Sequence, residues 1–459
     1  MFDLTSLSSS TCMTPLGVTA AAVVVGAAAV WWIKSKSKTE VIDMTSKSEV
    51  QLLEMESSMV MMDQVAITTI TFVKGDPSTT STFLQQRVAS IVAANPWLTG
   101  RLVRRKGRKG CFLVWDTTKL PSHFHSYPHN PSDAPMSREI AYEDVYVAAN
   151  KRGMVLKKGM DSVGRDQDLF RVSLVPDSSQ PTKRFVVVVS MCHVIGDGHT
   201  FYSVHNMLSS TASVSALDPT RQQAATEEYE KAMGSEMGLP PSPSGWLIAN
   251  MMWGMVRILF GYKARAKVYY VNEEHVAKCK EAAVKEGRVG WVSTNDVVTS
   301  EILKTPYADT CMMAVNFRNK VPSASYHHVG NYENLLLYRP PDVQSPSLIR
   351  LSVSSLRRAS SPPTTLIEGP RRLGEKMTCV TNWSSFDKGL ELAGCDTDLH
   401  IPLYDFVSAT SPVFFIGIVF RPCKGKLALL LLGSQRDMSE VEKMGVVGEK
   451  LDVVMRGSE

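Results

Sequence analysis

Apolar and polar positions alternate and cluster along this chain in a way that predicts interleaved strands and helices. Phe185-Val186-Val187-Val188-Val189-Ser190 is apolar, β-branched and almost uninterrupted, the pattern of a strand buried on both faces. Val65–Val73 is strand-like through alternation and β-branching. Ser81–Ala94 carries Phe83, Val88, Ile91 and Val92 at helical spacing and stops before Pro96. Arg101–Val103 and Cys111–Trp115 read as a hairpin around the basic turn Arg104–Lys109. Further strands are expected at Phe170–Val175, Met312–Asn316, Asn334–Tyr338, Thr378–Trp383, Pro412–Phe420 and Leu427–Leu432. Helices are expected at Thr200–Ser209, Val297–Leu303, around Leu348–Arg358 and over Ser439–Met455. Ser293 or Thr294 can cap the Val297–Leu303 helix, and Asp296 favours its positive end. Residues 211–244 are polar and turn Pro/Ser-rich, and read as a connection. Both halves interleave strands with helices, so the fold class is mixed α/β.

With 459 residues, two lobes or domains are the default. A net charge of +5 over that length is too small to imply nucleic acid. The eight cysteines are scattered, with no Cys-x-x-Cys pair, so neither a zinc site nor a disulfide framework is suggested. The histidines at 123, 125 and 129 fall in a Pro/Ser-rich stretch and read as solvated.

The N-terminus differs. Pro15–Ile33 is uncharged, ends in Trp31-Trp32 and is followed by Lys34, Lys36 and Lys38, the order of a membrane-spanning helix with a cytoplasmic body. A cleaved targeting peptide is the competing reading. Trp246–Lys263 is apolar nearly all round except for Arg257 and the terminal Lys263, and reads either as a helix lying in the membrane interface or as a crossover helix on the core.

The candidate chemistry lies just after the apolar run, in His193-Val194-Ile195-Gly196-Asp197-Gly198. A buried strand ending there delivers an imidazole to the rim of a sheet, and imidazole is the natural proton acceptor near neutral pH. By composition alone, His-x-x-x-Asp-Gly would arise with odds of roughly one in thirty, so the motif needs support. Cys192 should face away from His193, as adjacent strand residues do. His193, His199 and His205 match no helical metal face, and no Gly-x-Ser-x-Gly elbow is present.

The support is a series of stretches in order. Asn95-Pro96-Trp97-Leu98-Thr99-Gly100-Arg101-Leu102, Ser293-Thr294-Asn295-Asp296, Asn316-Phe317-Arg318 with Val329-Gly330-Asn331-Tyr332, and Thr381-Asn382-Trp383 accompany the histidine motif. Together they resemble the CoA-dependent acyltransferase superfamily, which includes chloramphenicol acetyltransferase, and most of all a divergent BAHD-type acyltransferase. Near the C-terminus, Tyr404-Asp405-Phe406-Val407-Ser408 keeps the Asp-Phe of the BAHD Asp-Phe-Gly-Trp-Gly motif and lacks the Gly-Trp-Gly.

That resemblance implies two similar lobes, each a mixed sheet flanked by helices, with an active-site channel between them. It implies His193 as general base, Asp197 paired with Arg318 to fix the histidine loop, and a tight turn at Gly196 and Gly198. Thr381, Asn382, Trp383, Ser384 and Ser385 are candidate oxyanion or acceptor contacts. The co-substrate is acyl-CoA, with no permanently bound cofactor and no metal. The expected divisions are an anchor and linker at 1–50, a first lobe at 51–210, a crossover at 211–290 and a second lobe at 291–459. The expected activity is acyl transfer to a hydroxyl, less readily an amine, of a lipophilic acceptor. The protein would be monomeric, single-pass in the endoplasmic reticulum with a cytosolic body, or alternatively plastid-located. A non-catalytic lipid-binding or scaffold protein on the same fold is the alternative.

Overall fold

The computed structural model describes residues 48–451 apart from 119, 131, 237, 239–248, 251, 255, 257–264, 306–307, 361–373 and 406–413. The strands are β1 (Ser48–Gln51), β2 (Ile67–Lys74), β3 (Arg101–Val103), β4 (Phe112–Trp115), β5 (Phe124–Ser126), β6 (Phe170–Pro176) and β7 (Arg184–Met191). They continue as β8 (Arg265–Val271), β9 (Thr310–Asn316), β10 (Glu333–Tyr338), β11 (Met377–Asn382), β12 (Asp396–Pro402), β13 (Phe414–Phe420), β14 (Ala428–Gly433) and β15 (Val447–Lys450). The longer helices are α1 (Pro77–Ala94), α2 (Tyr142–Lys151), α3 (Gly198–Asn206), α4 (Ala224–Met233), α5 (Glu273–Lys285), α6 (Thr294–Leu303), α7 (Pro346–Ser355) and α8 (Gln435–Val441).

Two large mixed sheets organise the molecule, ordered β12-β2-β7-β6-β5 and β10-β9-β11-β13-β14-β8-β15, with a small sheet β1-β4-β3 beside them. The valine run of β7 occupies the centre of the first sheet and is buried almost throughout, which is why no polar residue interrupts it. Of the hydroxyls in that sheet, Thr68 Oγ1 and Ser190 Oγ pair at 2.8 Å, whereas Thr69 Oγ1 and Ser173 Oγ are buried with no hydrogen-bond partner among the described residues. The leucine run of β14 has the same cause with two destinations. Leu430 and Leu432 pack into the core of the first lobe, while Leu429 and Leu431 pack under the helices of the second. At β14 the second sheet is therefore a wall shared by both cores, and neither face of that strand tolerates a polar alternation.

One strand crosses over. β12 leaves the second lobe and pairs antiparallel with β2, from Asp396 opposite Lys74 to Pro402 opposite Thr69. His400, within this strand, has its side chain buried, with Nδ1 2.8 Å from Thr71 Oγ1 and Nε2 3.1 Å from the Tyr202 hydroxyl. Residues 291–459 are thus not one contiguous lobe. At the other boundary, β8 and α5 precede residue 291 yet belong to the second sheet and its core.

Other expectations need correction. The helix expected over Ser439–Met455 is instead the short α8 followed by β15, because β8 offers an edge that β15 pairs with. The polar connection 211–244 contains α4, whose Ala225, Tyr229 and Met233 recur every fourth residue and bury one stripe under an otherwise charged helix. His123 is buried rather than solvated, its Nδ1 2.9 Å from the Phe170 carbonyl oxygen. The Arg104–Lys109 turn is exposed, and Arg105 and Arg108 both pair with Glu49. Pro15–Ile33 lies outside the described residues, and Trp246–Lys263 lies largely outside them. Among the described residues, no helix is long and apolar enough to cross a membrane.

Candidate active site

His193 opens a single 3-10 turn, His193–Ile195, directly after β7. Its side chain keeps 18% of its surface exposed, so the ring is deep but reachable. Nδ1 lies 3.1 Å from Asn331 Oδ1. The Asn331 amide can be oriented only one way, because Nδ2 faces the carbonyl oxygens of His193 (2.8 Å) and Val194 and an oxygen of Glu56. Its Oδ1 is therefore the atom turned to the imidazole, and Nδ1 must carry the proton that this oxygen accepts. That assignment leaves Nε2 with a free lone pair. Burial lowers the pKa of the ring below its ordinary value, partly offset by the Asp197 charge and the Asn331 hydrogen bond, so His193 is neutral at pH 7.

Beneath the ring lie two buried ion pairs. Asp197 caps α3, with Oδ1 accepting from the Thr200 amide at 2.9 Å, and its Oδ2 meets Arg318 Nη1 at 2.6 Å and the Tyr332 amide at 3.0 Å. Burial opposes the Asp197 carboxylate, but the charge and hydrogen bond of Arg318 outweigh it and hold its pKa below the usual range. Arg318 donates further to the carbonyl oxygens of His328 (2.9 Å) and Gly330 (2.9 Å). The second pair is Glu56 with Arg221, 2.9 Å apart and fully buried. Arg221 also donates to the carbonyl oxygens of Ile195 (3.0 Å) and Val329 (2.8 Å). Glu56 accepts from the Asn331 backbone at 2.8 Å. The two pairs clamp the histidine turn to the 316–332 loop of the second lobe.

Glycine is needed here at particular points. Gly330 has φ +131, and a Cβ there would stand 2.7 Å from Arg221 Nε and 2.9 Å from Glu56 Oε1. Gly196 is extended, at φ −176, but a Cβ would come within 2.5 Å of Thr200. Gly198 is different. A Cβ on it would meet Trp383 at 3.4 Å, near ordinary contact, so the need for glycine falls on Gly196, for lack of room beside Thr200, and on Gly330.

Facing His193 is a residue the motif does not contain. Glu333 Oε1 lies 4.0 Å from His193 Nε2. Burial, and then the Asp197 charge, raises the Glu333 pKa to about 8, with Arg318 opposing. At neutral pH this carboxyl is mostly protonated and acts as a donor. On β11, separated from the Glu333 strand by β9, burial and then Glu333 push the Cys379 thiol up to about 12. Thr381 follows Cys379 by two residues and so emerges on the same face. Cys192 is buried, and its thiol is raised to about 12, so it is no nucleophile.

The other β11 candidates separate. Asn382 donates to Asn295 Oδ1 at 2.9 Å and accepts from the backbone and hydroxyl of Ser384 at 2.9 and 2.7 Å. The Asn382 amide is thus committed to Asn295 and the Ser384 hydroxyl to Asn382, whereas the Thr381 hydroxyl makes no hydrogen bond among the described residues. Trp383 is buried against Tyr202 and Tyr404. Asn382 and Ser385 line a cleft of about 1250 Å³ that also takes in His199, Lys320, Arg350 and Lys388. His193 and Thr381 do not line that cleft. The one potential metal-ligand group among the described residues is His275, Cys279 and Glu301, none of which belongs to this site.

No protein-family model and no curated protein matches the chain. Solved structures do match. A TRI101 from F. sporotrichioides, complexed with coenzyme A and T-2, superposes with a TM-score of 0.53 at 12% identity, over 86% of this chain and 97% of that one. The first condensation domain of the calcium-dependent antibiotic synthetase, bound to a substrate analogue, gives 0.55 at 11% identity over 87% and 95%. Polyketide synthase associated protein 5 from Mycobacterium tuberculosis gives 0.52 at 14% identity over 85% and 96%. The chain thus has the two-lobed, mixed α/β fold of these solved structures.

Proposed function

We propose that this protein transfers an acyl group from a coenzyme A thioester to the hydroxyl of a small-molecule acceptor, with His193 as general base. The observation that carries the reading is the imidazole itself, neutral, partly exposed, and fixed by Asn331 with the Nε2 lone pair outward. Nε2 takes the proton of the acceptor hydroxyl as its oxygen attacks the thioester carbonyl. The tetrahedral oxyanion is met by the Thr381 hydroxyl, a donor without a partner among the described residues. The C–S bond then breaks, and the imidazolium returns the proton to the departing thiolate. Both substrates are held together, so no covalent acyl-enzyme is required.

Glu333 suits this cycle because it is neutral. A carboxylate 4.0 Å from Nε2 would stabilise the imidazolium and keep the base protonated. A neutral acid leaves His193 free to accept, and an oxygen bridging the gap can donate to Nε2 while accepting from Glu333. The cleft beside Asn382, with Lys320 and Lys388 on its walls, suits the phosphate end of the donor. TRI101 complexed with coenzyme A and T-2 supports the pairing of such a donor with a small acceptor on this fold. The lipophilic character of the acceptor rests on the apolar Pro15–Ile33 segment.

The test is release of free thiol from a panel of acyl-CoAs by purified protein, with and without a panel of long-chain alcohols, sterols, carotenoids and acylglycerols. Acceptor-dependent release supports transfer. Binding of acyl-CoA with no release under any acceptor supports a non-catalytic carrier instead.

A further inference from the structure

The second lobe holds a group of side chains that the transfer chemistry does not use. His275 and Cys279 lie one turn apart on α5, so both project from one face, and Glu301 reaches them from α6. His275 Nε2 is 3.2 Å from Cys279 Sγ and 3.6 Å from Glu301 Oε2, and the donor atoms all fall within 4.8 Å of one another.

We propose that His275, Cys279 and Glu301 bind one zinc ion, with water as the fourth ligand, and so pin α5 to α6. A tetrahedral zinc at its usual ligand distances sets neighbouring donor atoms about 3.4–3.6 Å apart. The observed 3.2 and 3.6 Å edges need only a small adjustment. The donors are one thiolate, one imidazole and one carboxylate, a set suited to zinc.

Two further features prepare these atoms. Gly445 packs on the His275 ring so closely that a Cβ there would stand 2.3 Å from its Nδ1 and Cε1, which fixes the ring and leaves Nε2 for the ion. Lys304 holds the other oxygen of Glu301, Oε1, at 2.9 Å, which turns Oε2 toward the histidine. All three ligand residues are half-buried, so water can fill the remaining position. On binding, the Cys279 thiol gives its proton to solvent, and the thiolate and carboxylate balance the dication. The role is structural. α6 also carries Asn295, whose Oδ1 accepts from Asn382 beside the acyl-transfer site, so bracing α6 braces that contact.

Full-length protein, stripped with chelator, is titrated with Zn²⁺ and separately with Co²⁺. The expected result is one ion per chain, thiolate-to-cobalt charge-transfer absorption, and a melting temperature raised by zinc. Cys279→Ser should abolish the charge-transfer band and weaken zinc by more than about 100-fold, beyond the usual cost of losing a supporting contact. Glu301→Gln, close in volume, should weaken zinc while the band survives, and Cys423→Ser should change nothing. Absence of the band in the unaltered protein, or its persistence in Cys279→Ser, overturns the proposal. Neither readout depends on acyl transfer.

Discussion

Asp197→Asn is the sharpest test of how the histidine turn is held. Asparagine keeps the size of aspartate and an oxygen for the Thr200 amide, so the helix cap, worth about 1 kcal/mol, is largely retained. What is lost is the charge opposite Arg318, whose side chain is 0% exposed. Arg318 keeps its carbonyl partners and the Thr200 hydroxyl but has no counter-ion at 2.6 Å. Removing one member of such a buried pair costs about 3–5 kcal/mol, mostly through the charge left behind. A folded domain has about 5–15 kcal/mol in total, so the variant should unfold at markedly lower denaturant. Urea titration followed by circular dichroism measures it. The double variant Asp197→Asn with Arg318→Met should recover part of the loss, since the buried charge is then gone. A loss below about 1 kcal/mol in Asp197→Asn, with no coupling in the double variant, refutes the clamp as described.

Asn331→Leu removes the acceptor that fixes the imidazole tautomer, and should lower kcat about 10²-fold or more in steady-state assays while circular dichroism remains native-like. Glu333→Gln keeps a donor facing Nε2 and abolishes titration. In the unaltered protein, activity should fall as pH rises through about 8, where Glu333 ionises, and the variant's pH–rate profile should lose that alkaline limb. On the stability side, burial depresses His205 to about 3 and His400 to about 4 from an ordinary 6.5. Both groups bind protons in the unfolded chain before the folded one, so their stabilisation is present above 6.5 and is lost progressively as pH falls toward 3–4. Urea midpoints measured across that range should decline, and His205→Phe should flatten the decline.

How much of this was legible in the sequence depended on whether a residue's reason lay near it in the chain. β7 and β14 announce themselves because burial on both faces excludes polar residues locally. β12 does not, since Asp-Thr-Asp-Leu-His-Ile-Pro shows little apolar run, and it is buried through pairing with β2, which precedes it by more than 300 residues. His193, Asp197 and Arg318 were visible through motif resemblance, and the structure brings the last two into contact. Glu56, Arg221 and Glu333 were not. Glu56 pairs with Arg221 at a separation of 165 residues and with Asn331 at 275, and no local pattern encodes such partners. α4 was masked by its own charge, although the spacing of Ala225, Tyr229 and Met233 was there to be counted. β15 reads as helix in the sequence because short amphipathic segments satisfy either period until an open sheet edge decides.

The most direct measurement is the rate of acyl transfer by His193→Ala, compared with the unaltered protein at saturating acyl-CoA and acceptor. Loss of a positioned general base predicts a fall in kcat of about 10²–10⁴-fold, with the fold unchanged and acyl-CoA still bound. Transfer at the original rate would contradict the assignment of Nε2 as the proton acceptor.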